Sequence, residues 1–348
     1  MIHEAVRLTD FADFKNGKAL KTSKLGEVPV FGSNGQIGLT EEAMGQDAVI
    51  VGRVGAYCGA IHPAKGEFWA SDNTIVARPR DGNSLNYLFY LLTNTPLRDY
   101  AGGAAQPLLT QGILSGVRVR VHGLNEQAAI ADILSAYDDL IETNRRRIAL
   151  LEEAARLLYR EWFVHFRFPG HEHVPLTDGL PEGWERRTFG EIAELKYGKA
   201  LKQENRVEGP FPVYGSSGVV GTHQAAMVEG PTIIVGRKGN VGSIFWSPVD
   251  LWPIDTVYFI PKVLVDFWLY LALPSAGFQN TDAGVPGLNR DFAYSRKLIQ
   301  PPARLRRLFN EIVEPMFEQR ATLETYNQKL AQARDLLLPR LMNGELAV

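Results

Sequence analysis

Between Asn125 and Phe163 apolar side chains recur at Ile130, Leu134, Tyr137, Ile141, Ile148, Leu151, Ala155, Leu158 and Trp162, and Asn144 fills the one place the series leaves open. The steps alternate between four and three residues. That is the spacing of a coiled-coil seam, narrower than the stripe of an ordinary surface helix. No Gly or Pro interrupts the run, and charged residues such as Asp138, Glu142, Arg145 and Arg156 take the outer positions. The pattern predicts one helix of about 39 residues and about 58 Å. A seam of this length needs a partner, and a second one runs from about Leu305 to Met342. Shifting the first seam by 179 residues, the distance from Leu109 to Leu288, gives Phe309, Val313, Met316, Arg320, Leu323, Asn327, Leu330, Arg334, Leu337 and Leu341. If the helices run antiparallel and the polar positions Asn144 and Asn327 face each other, partner numbers add to 471. Ile130 then meets Leu341, Leu134 meets Leu337, Ile141 meets Leu330, Ile148 meets Leu323, Leu158 meets Val313 and Trp162 meets Phe309. A buried Asn pair costs stability but holds register, because a slip leaves both amides unpaired. Pro315 and Pro339 are expected to bend the second helix near its ends.

The stretches before the two helices follow a shorter period and repeat each other. Leu8 to Lys21 lines up with Phe189 to Lys202, Pro29 to Gly35 with Pro212 to Gly218, Ile50 to Gly55 with Ile234 to Gly239, Trp69 to Asp72 with Trp252 to Asp255, and Leu109-Thr110 with Leu288-Asn289. One unit is therefore written twice, each time as a β-rich block ahead of a long helix. Val49–Val51, Thr74–Ala77, Thr232–Val235 and Thr256–Ile260 are apolar and β-branched, so they predict buried strands. Tyr87–Thr93 and Val265–Leu273 predict one short helix per block. Phe166 to Trp184, with Pro169, Gly170, Pro175, Gly179, Pro181 and Gly183, predicts a boundary loop.

At 348 residues the chain exceeds one ordinary core, and 45% hydrophobic with 22% charged residues fits a folded, soluble protein. No apolar run reaches membrane-spanning length, no signal peptide is expected, and the single Cys58 leaves no internal disulfide, so a cytoplasmic location is expected. The net charge of −2 neither requires nor excludes nucleic acid, since local positive surface can hide in a balanced total.

Candidate chemistry gathers in the repeated loops. Gly52-Arg53-Val54-Gly55 and Gly236-Arg237-Lys238-Gly239 permit two readings: tight turns after a strand, or loops that place Arg53, Arg237 and Lys238 against a phosphate or a guanine edge. They lack the spacing of a nucleotide-hydrolysing phosphate loop. Lys18 and Lys199 follow Gly17 and Gly198 and either reach DNA phosphates or are solvated. Asn34 and Ser217 either close turns or read base edges. Gln106, Thr110 and Gln111 in the first block correspond to Asn289 and Arg290 in the second, and these differ as they would if each half read a different sequence. His171 and His173 fit a solvated linker better than a metal site, and Asp72 and Asp255 fit turn or cap roles better than a carboxylate pair. No catalytic or metal constellation emerges.

Taken together, the chain resembles the specificity subunit of type I restriction–modification enzymes over nearly its full length. The resemblance rests on the alternation of blocks and helices, on Leu180-Pro181-Glu182-Gly183-Trp184, Trp162-Phe163-Val164, Asn125-Glu126-Gln127, and above all on Leu337 to Leu346. It implies an α+β fold of two similar globular target-recognition domains joined by two long antiparallel coiled-coil helices, with pseudo-two-fold symmetry. The divisions would be 1–123 and 166–303 for the recognition domains, the latter with its linker, and 124–165 and 304–348 for the helical spacers. It implies a non-catalytic DNA reader, each domain taking one half of a split asymmetric site. The spine, including Ile130, Leu134, Ile141, Asn144, Ile148, Leu158, Leu323, Asn327, Leu330 and Leu337, would set the spacing, so a heptad inserted in both helices should lengthen it. Partners would be double-stranded DNA and two methyltransferase subunits carrying S-adenosylmethionine, with translocating restriction subunits as a further partner. The chain would hold no cofactor of its own and contact no membrane. A stand-alone DNA-binding regulator, or an enzyme working through the Gly-Arg loops, are the alternatives.

Overall fold

A computed structural model describes residues 5–20, 26–103, 106–281 and 287–348. Lys21, the last residue of the first repeated phrase, and the Met1–Glu4 start lie outside these. Two compact units emerge, Met1–Asn144 with Tyr326–Val348, and Arg145–Thr325. Each contains one β-rich block and one stretch of both long helices.

The first unit is built on a six-stranded sheet in the order Ala12–Asn16, Thr74–Pro79, Gly45–Gly52, Ile61–Ala70, Val28–Gly32, Gly35–Thr40. All neighbours are antiparallel except Val28–Gly32 against Ile61–Ala70, which are parallel. Gly45–Gly52 is central and covered on both faces. Val49 and Val51 face one core with Tyr87, Leu88 and Leu92, while Ala48 and Ile50 face a second with Phe68 and Val76. Burial on both sides explains why this strand shows an unbroken apolar run instead of alternation. Burying each Val or Ile contributes about 1.5–3 kcal/mol before entropy is counted.

The second unit repeats this order with one break. Lys196–Tyr197, Val257–Ile260, Thr232–Gly236 and Ile244–Ser247 form one sheet, and Gly218–His223, Phe211–Gly215 and Trp252–Pro253 form another. The parallel step is kept: Val213 pairs with Trp252 as Val30 pairs with Trp69. Even the irregularity recurs, after Val30 in one hairpin and after Val213 in the other. The long strand Ile61–Ala70 becomes two pieces here because Pro248 supplies no N–H and Ser247 Oγ donates to the Val249 carbonyl at 2.9 Å, turning the chain.

The central helix spans Leu124–Tyr159 and ends in a wider turn over Arg160–Val164; the C-terminal helix spans Ala303–Met342 without interruption at Pro315 or Pro339. In the first unit Ile130, Ala131 and Leu134 share a core with Leu338 and Leu341, and Asn144 Nδ2 donates to Asn327 Oδ1 at 2.9 Å. In the second, Ala155 and Trp162 share a core with Phe309, Val313 and Phe317, and the Trp162 and Phe309 ring centroids are 5.8 Å apart. Within each unit rising numbers on one helix meet falling numbers on the other, so the helices are antiparallel. The two arginines that interrupt the apolar seam are matched beside it: Arg320 pairs with Glu152 at 3.1 Å, and Arg334 pairs with Asp138.

The expected boundary loop is more than a linker. Phe168, Leu180 and Trp184 are buried in the second core, and Leu176–Thr177 pairs with Leu180–Pro181. Pro and Gly set the turns, but the aromatic residues between them fold the segment onto the unit. His171 Nδ1 lies 2.9 Å from the Phe168 carbonyl, in a turn.

Candidate nucleic-acid interface

In both units the loops singled out above are tied to one another by main-chain hydrogen bonds. Gly17 N–H donates to the Thr74 carbonyl and Lys18 N–H to that of Ala70; Gly198 and Lys199 do the same with Val257 and Pro253. A Cβ on Gly17 would lie 2.1 Å from Ser71 O, and one on Gly198 would lie 2.1 Å from Ile254 O, so the backbone approach permits only glycine. Trp69 Nε1–H donates to the Lys18 carbonyl at 2.8 Å, and Trp252 Nε1–H to the Lys199 carbonyl at 2.9 Å. This is the physical role of the repeated tryptophan: it fixes the loop and leaves the Lys18 and Lys199 side chains exposed.

Arg53 and Arg237 occupy matching places at the end of the central strand. Arg53 N–H donates to the Asn73 carbonyl and Arg237 N–H to that of Thr256. Their guanidinium groups reach the carbonyls of Asp72 and Asp255. Arg53 Nη1 is 3.4 Å from Asp72 O, and Arg237 Nε and Nη2 are 3.1 and 2.6 Å from Asp255 O. The two aspartates therefore serve through their backbone, as clamps for the arginines. The Arg53 and Arg237 carbonyls accept in turn from Leu109 N–H at 2.9 Å and Leu288 N–H at 2.8 Å, which draws the last loop of each block into the cluster. Cys58 lies beneath, its thiol donating to Arg53 O at 3.2 Å, and burial pushes that thiol up in pKa.

Asn34 and Ser217 are exposed at two-residue hairpin tips. Ser33 Oγ donates to Asn73 O at 2.7 Å, and Asn240 Nδ2 donates to Ser217 Oγ at 3.1 Å. Thr110 and Asn289 are helix N-caps: Thr110 Oγ1 accepts from Ile113 N–H, and Asn289 Oδ1 accepts from Asp291 and Phe292 N–H. In the amide orientation its neighbours dictate, Gln111 donates to Phe14 O at 3.2 Å and accepts from Asn16 N–H at 3.1 Å. Arg290, in the matching position, lies over the Tyr197 ring at 5.2 Å. Gln106 and Lys238 are exposed. The structure thus brings Lys18, Arg53, Thr110 and Gln111, with the Ser33-Asn34 turn, into one bonded loop cluster, and Lys199, Ser217, Arg237, Asn289 and Arg290 into its counterpart.

Sequence reasoning passed over the aromatic floor of the second cluster. Tyr197 and Tyr258 meet edge to face with centroids 5.0 Å apart, and Arg237 lies 5.4 Å from the first and 5.8 Å from the second. Burial, reinforced by the Tyr197 hydroxyl, pushes the Tyr258 phenol up, so it stays protonated and donates to Leu288 O at 3.0 Å. The first unit has Asn16 and Ile75 facing each other at the corresponding strand pair. Only the odd neighbourhood of Tyr197, beside Gly198-Lys199, hinted at this.

Among the described residues no group of three His, Cys, Asp or Glu could hold a metal ion, and no helix is long and apolar enough to cross a membrane. What the fold defines is a duplicated recognition module: one rigid scaffold, two loop clusters of equal backbone and unequal side chains. The chain matches the type I restriction modification DNA specificity domain over residues 3–153 and 181–281, and it belongs to that family. It is 27% identical over 308 residues to the specificity subunit of the type I restriction enzyme MjaIX of Methanocaldococcus jannaschii, covering 78% of this chain and 71% of the relative. It is 21% identical over 356 residues to the HindI specificity subunit of Haemophilus influenzae, covering 75% and 77%. The crystal structure of the S subunit of a type I restriction-modification system from M. genitalium aligns with 97% of this chain and 95% of its own, at TM-score 0.63 and 20% identity, and so has the same fold. Both of these relatives are specificity subunits of type I restriction enzymes.

Proposed function

We propose that each loop cluster reads one half of a split, asymmetric DNA site while the paired helices set the distance between the halves. The observation that carries this is the duplication itself. The Gly-Lys and Gly-Arg loops are bonded alike in both units, yet the exposed or stacked side chains on them differ: Asn34 against Ser217, Gln111 against Arg290. A common scaffold with unlike contact groups suits two different half-sites. Base edges in the major groove can be told apart by such Asn, Gln and Arg groups. The exposed Lys18, Lys199 and Lys238 suit the phosphate backbone, which needs charge without geometry.

In this reading the chain works in the cytoplasm with two methyltransferase subunits seated on the helices. S-adenosylmethionine binds on those subunits, and this chain supplies no catalytic group. Translocating restriction subunits join where the system also cleaves. The test is to purify the chain with its partners from the native host and to sequence methylated adenines in that genome with and without the gene. A split asymmetric motif that disappears with the gene is the expected result. A chain that purifies without partners and binds one DNA sequence tightly alone would favour a regulator instead.

A further inference from the structure

We propose that Arg290, rather than Arg237, is the side chain of the second unit that reads a guanine. The assignment rests on the DNA-recognition reading above and names the residue that gives the second half-site its own identity.

Arg53 and Arg237 were the evident candidates, because they repeat. Their geometry argues against them. Both donate to the backbone carbonyl of the matching aspartate, Asp72 or Asp255. A contact made alike in both units cannot distinguish the half-sites. In Arg237 the Nε–Nη2 edge, one of the paired-donor edges of a guanidinium, is taken up by Asp255 O.

Arg290 differs on each count. It stands where the first unit has Gln111, so the two halves diverge at this point. Its backbone is held from several sides. Leu288 N–H donates to Arg237 O at 2.8 Å, Tyr258 OH donates to Leu288 O at 3.0 Å, and the Asn289 side chain accepts from Asp291 N–H at 2.8 Å. The guanidinium lies 5.2 Å from the Tyr197 ring centroid and 5.9 Å from that of Tyr294. Its Nε is shut off from solvent with no acceptor, as is that of Arg53, so Nη1 and Nη2 are the ends left to a ligand, and no described residue accepts from them. Tyr197, on which it rests, is 48% exposed.

The Nη1 and Nη2 ends suit a ligand with paired acceptors in one plane. Guanine presents O6 and N7 in that way in the major groove, and a planar, pre-oriented guanidinium matches them through its Nη1 and Nη2 ends. Stacking on tyrosine holds the plane while leaving those ends unspent. Lysine, with a point charge and no fork, could not substitute.

The experiment uses the assembled complex of this chain with its methyltransferase partners, read by the methylated motif and by binding to duplexes varied at each position. In R290A and R290K one guanine position in one half-site should accept other bases, with discrimination falling by about 5- to 150-fold. The other half-site and the spacing should not change. In R290Q the same position should shift toward adenine, which a carboxamide reads. Unchanged discrimination in all three variants would overturn the assignment. So would an even loss across all sequences with a shallower salt dependence, which marks a phosphate contact. R290K keeps the charge and the stem, so its failure to fold would mark a structural residue and overturn the assignment too. A wild-type complex that yields no split motif would instead remove the functional reading on which the assignment rests.

Discussion

Asn144 and Asn327 face each other across the two long helices, with Asn144 Nδ2 donating to Asn327 Oδ1 at 2.9 Å and Asn327 Nδ2 donating to the Ile141 carbonyl at 3.3 Å. Asn144 is 3% exposed. Asn144 therefore depends on Asn327 for its side-chain bond, between the buried Ile141 and Leu323. Replacing Asn327 by leucine strands the buried Asn144 amide, at a cost of about 1–3 kcal/mol, whereas replacing Asn144 leaves the half-buried Asn327 its bond to the Ile141 carbonyl and should cost less. Replacing both should cost less than replacing Asn327 alone, because no buried unpaired amide remains. Urea denaturation of the two single variants and the double variant checks this. A double variant less stable than the Asn327 single would show that the pair stabilises beyond satisfying itself.

Gly17 and Gly198 permit a test of the scaffold separate from binding. A methyl group on either would press into a backbone carbonyl, which cannot yield as a flexible side chain does. Gly17→Ala and Gly198→Ala should each destabilise by about 1–3 kcal/mol, the usual cost of overfilling a packed site. Thermal melting should show it. Melting temperatures equal to that of the parent chain would mean the loop moves freely, and the close approach would lose its meaning.

Lys18 and Lys199 follow those glycines and should behave in the opposite way. Their carbonyls are held by Trp69 and Trp252, but their side chains are exposed. Alanine at either should leave stability within about 0.5 kcal/mol. Binding to all DNA sequences should weaken alike, and the salt slope should fall by about one unit. A change confined to one base position would reassign the lysine as a base reader.

Much of this architecture was legible from the chain alone, and the reasons are physical. Seam spacing, apolar runs and turn residues are local signals, and duplication doubled each of them. The Asn144–Asn327 pairing followed from matching the polar positions of two seams taken as antiparallel. The clamps did not follow. Arg53 reaches Asp72 O across 19 residues, and Trp69 reaches Lys18 O across 51. Nothing in local spacing indicates which carbonyl a distant guanidinium will meet. For the same reason Phe168 and Trp184 looked like parts of a linker, since Pro and Gly beside them signal turns and say nothing about what aromatic rings bury. The floor formed by Tyr197 and Tyr258 was hidden too, because it exists in one copy and the repeat drew attention to what both copies share.

Tyr258 connects the sheet to the segment that carries Asn289 and Arg290, and its hydroxyl is the only group of the side chain that can do so. The hydroxyl donates to Leu288 O at 3.0 Å, inside a buried strand. Tyr258→Phe keeps the ring and its edge-to-face contact with Tyr197 but leaves that carbonyl without this donor. A loss of about 1 kcal/mol in unfolding stability is expected, within the range for one buried hydrogen bond. The consequence for recognition should be confined to one half. The first unit holds Leu109 through Arg53 without a tyrosine at the corresponding strand position, so its half-site should be read as before. Competition binding with duplexes mutated in one half at a time separates the two. Equal losses in both halves would mean that Tyr258 supports the whole chain and does not position the second reading loop.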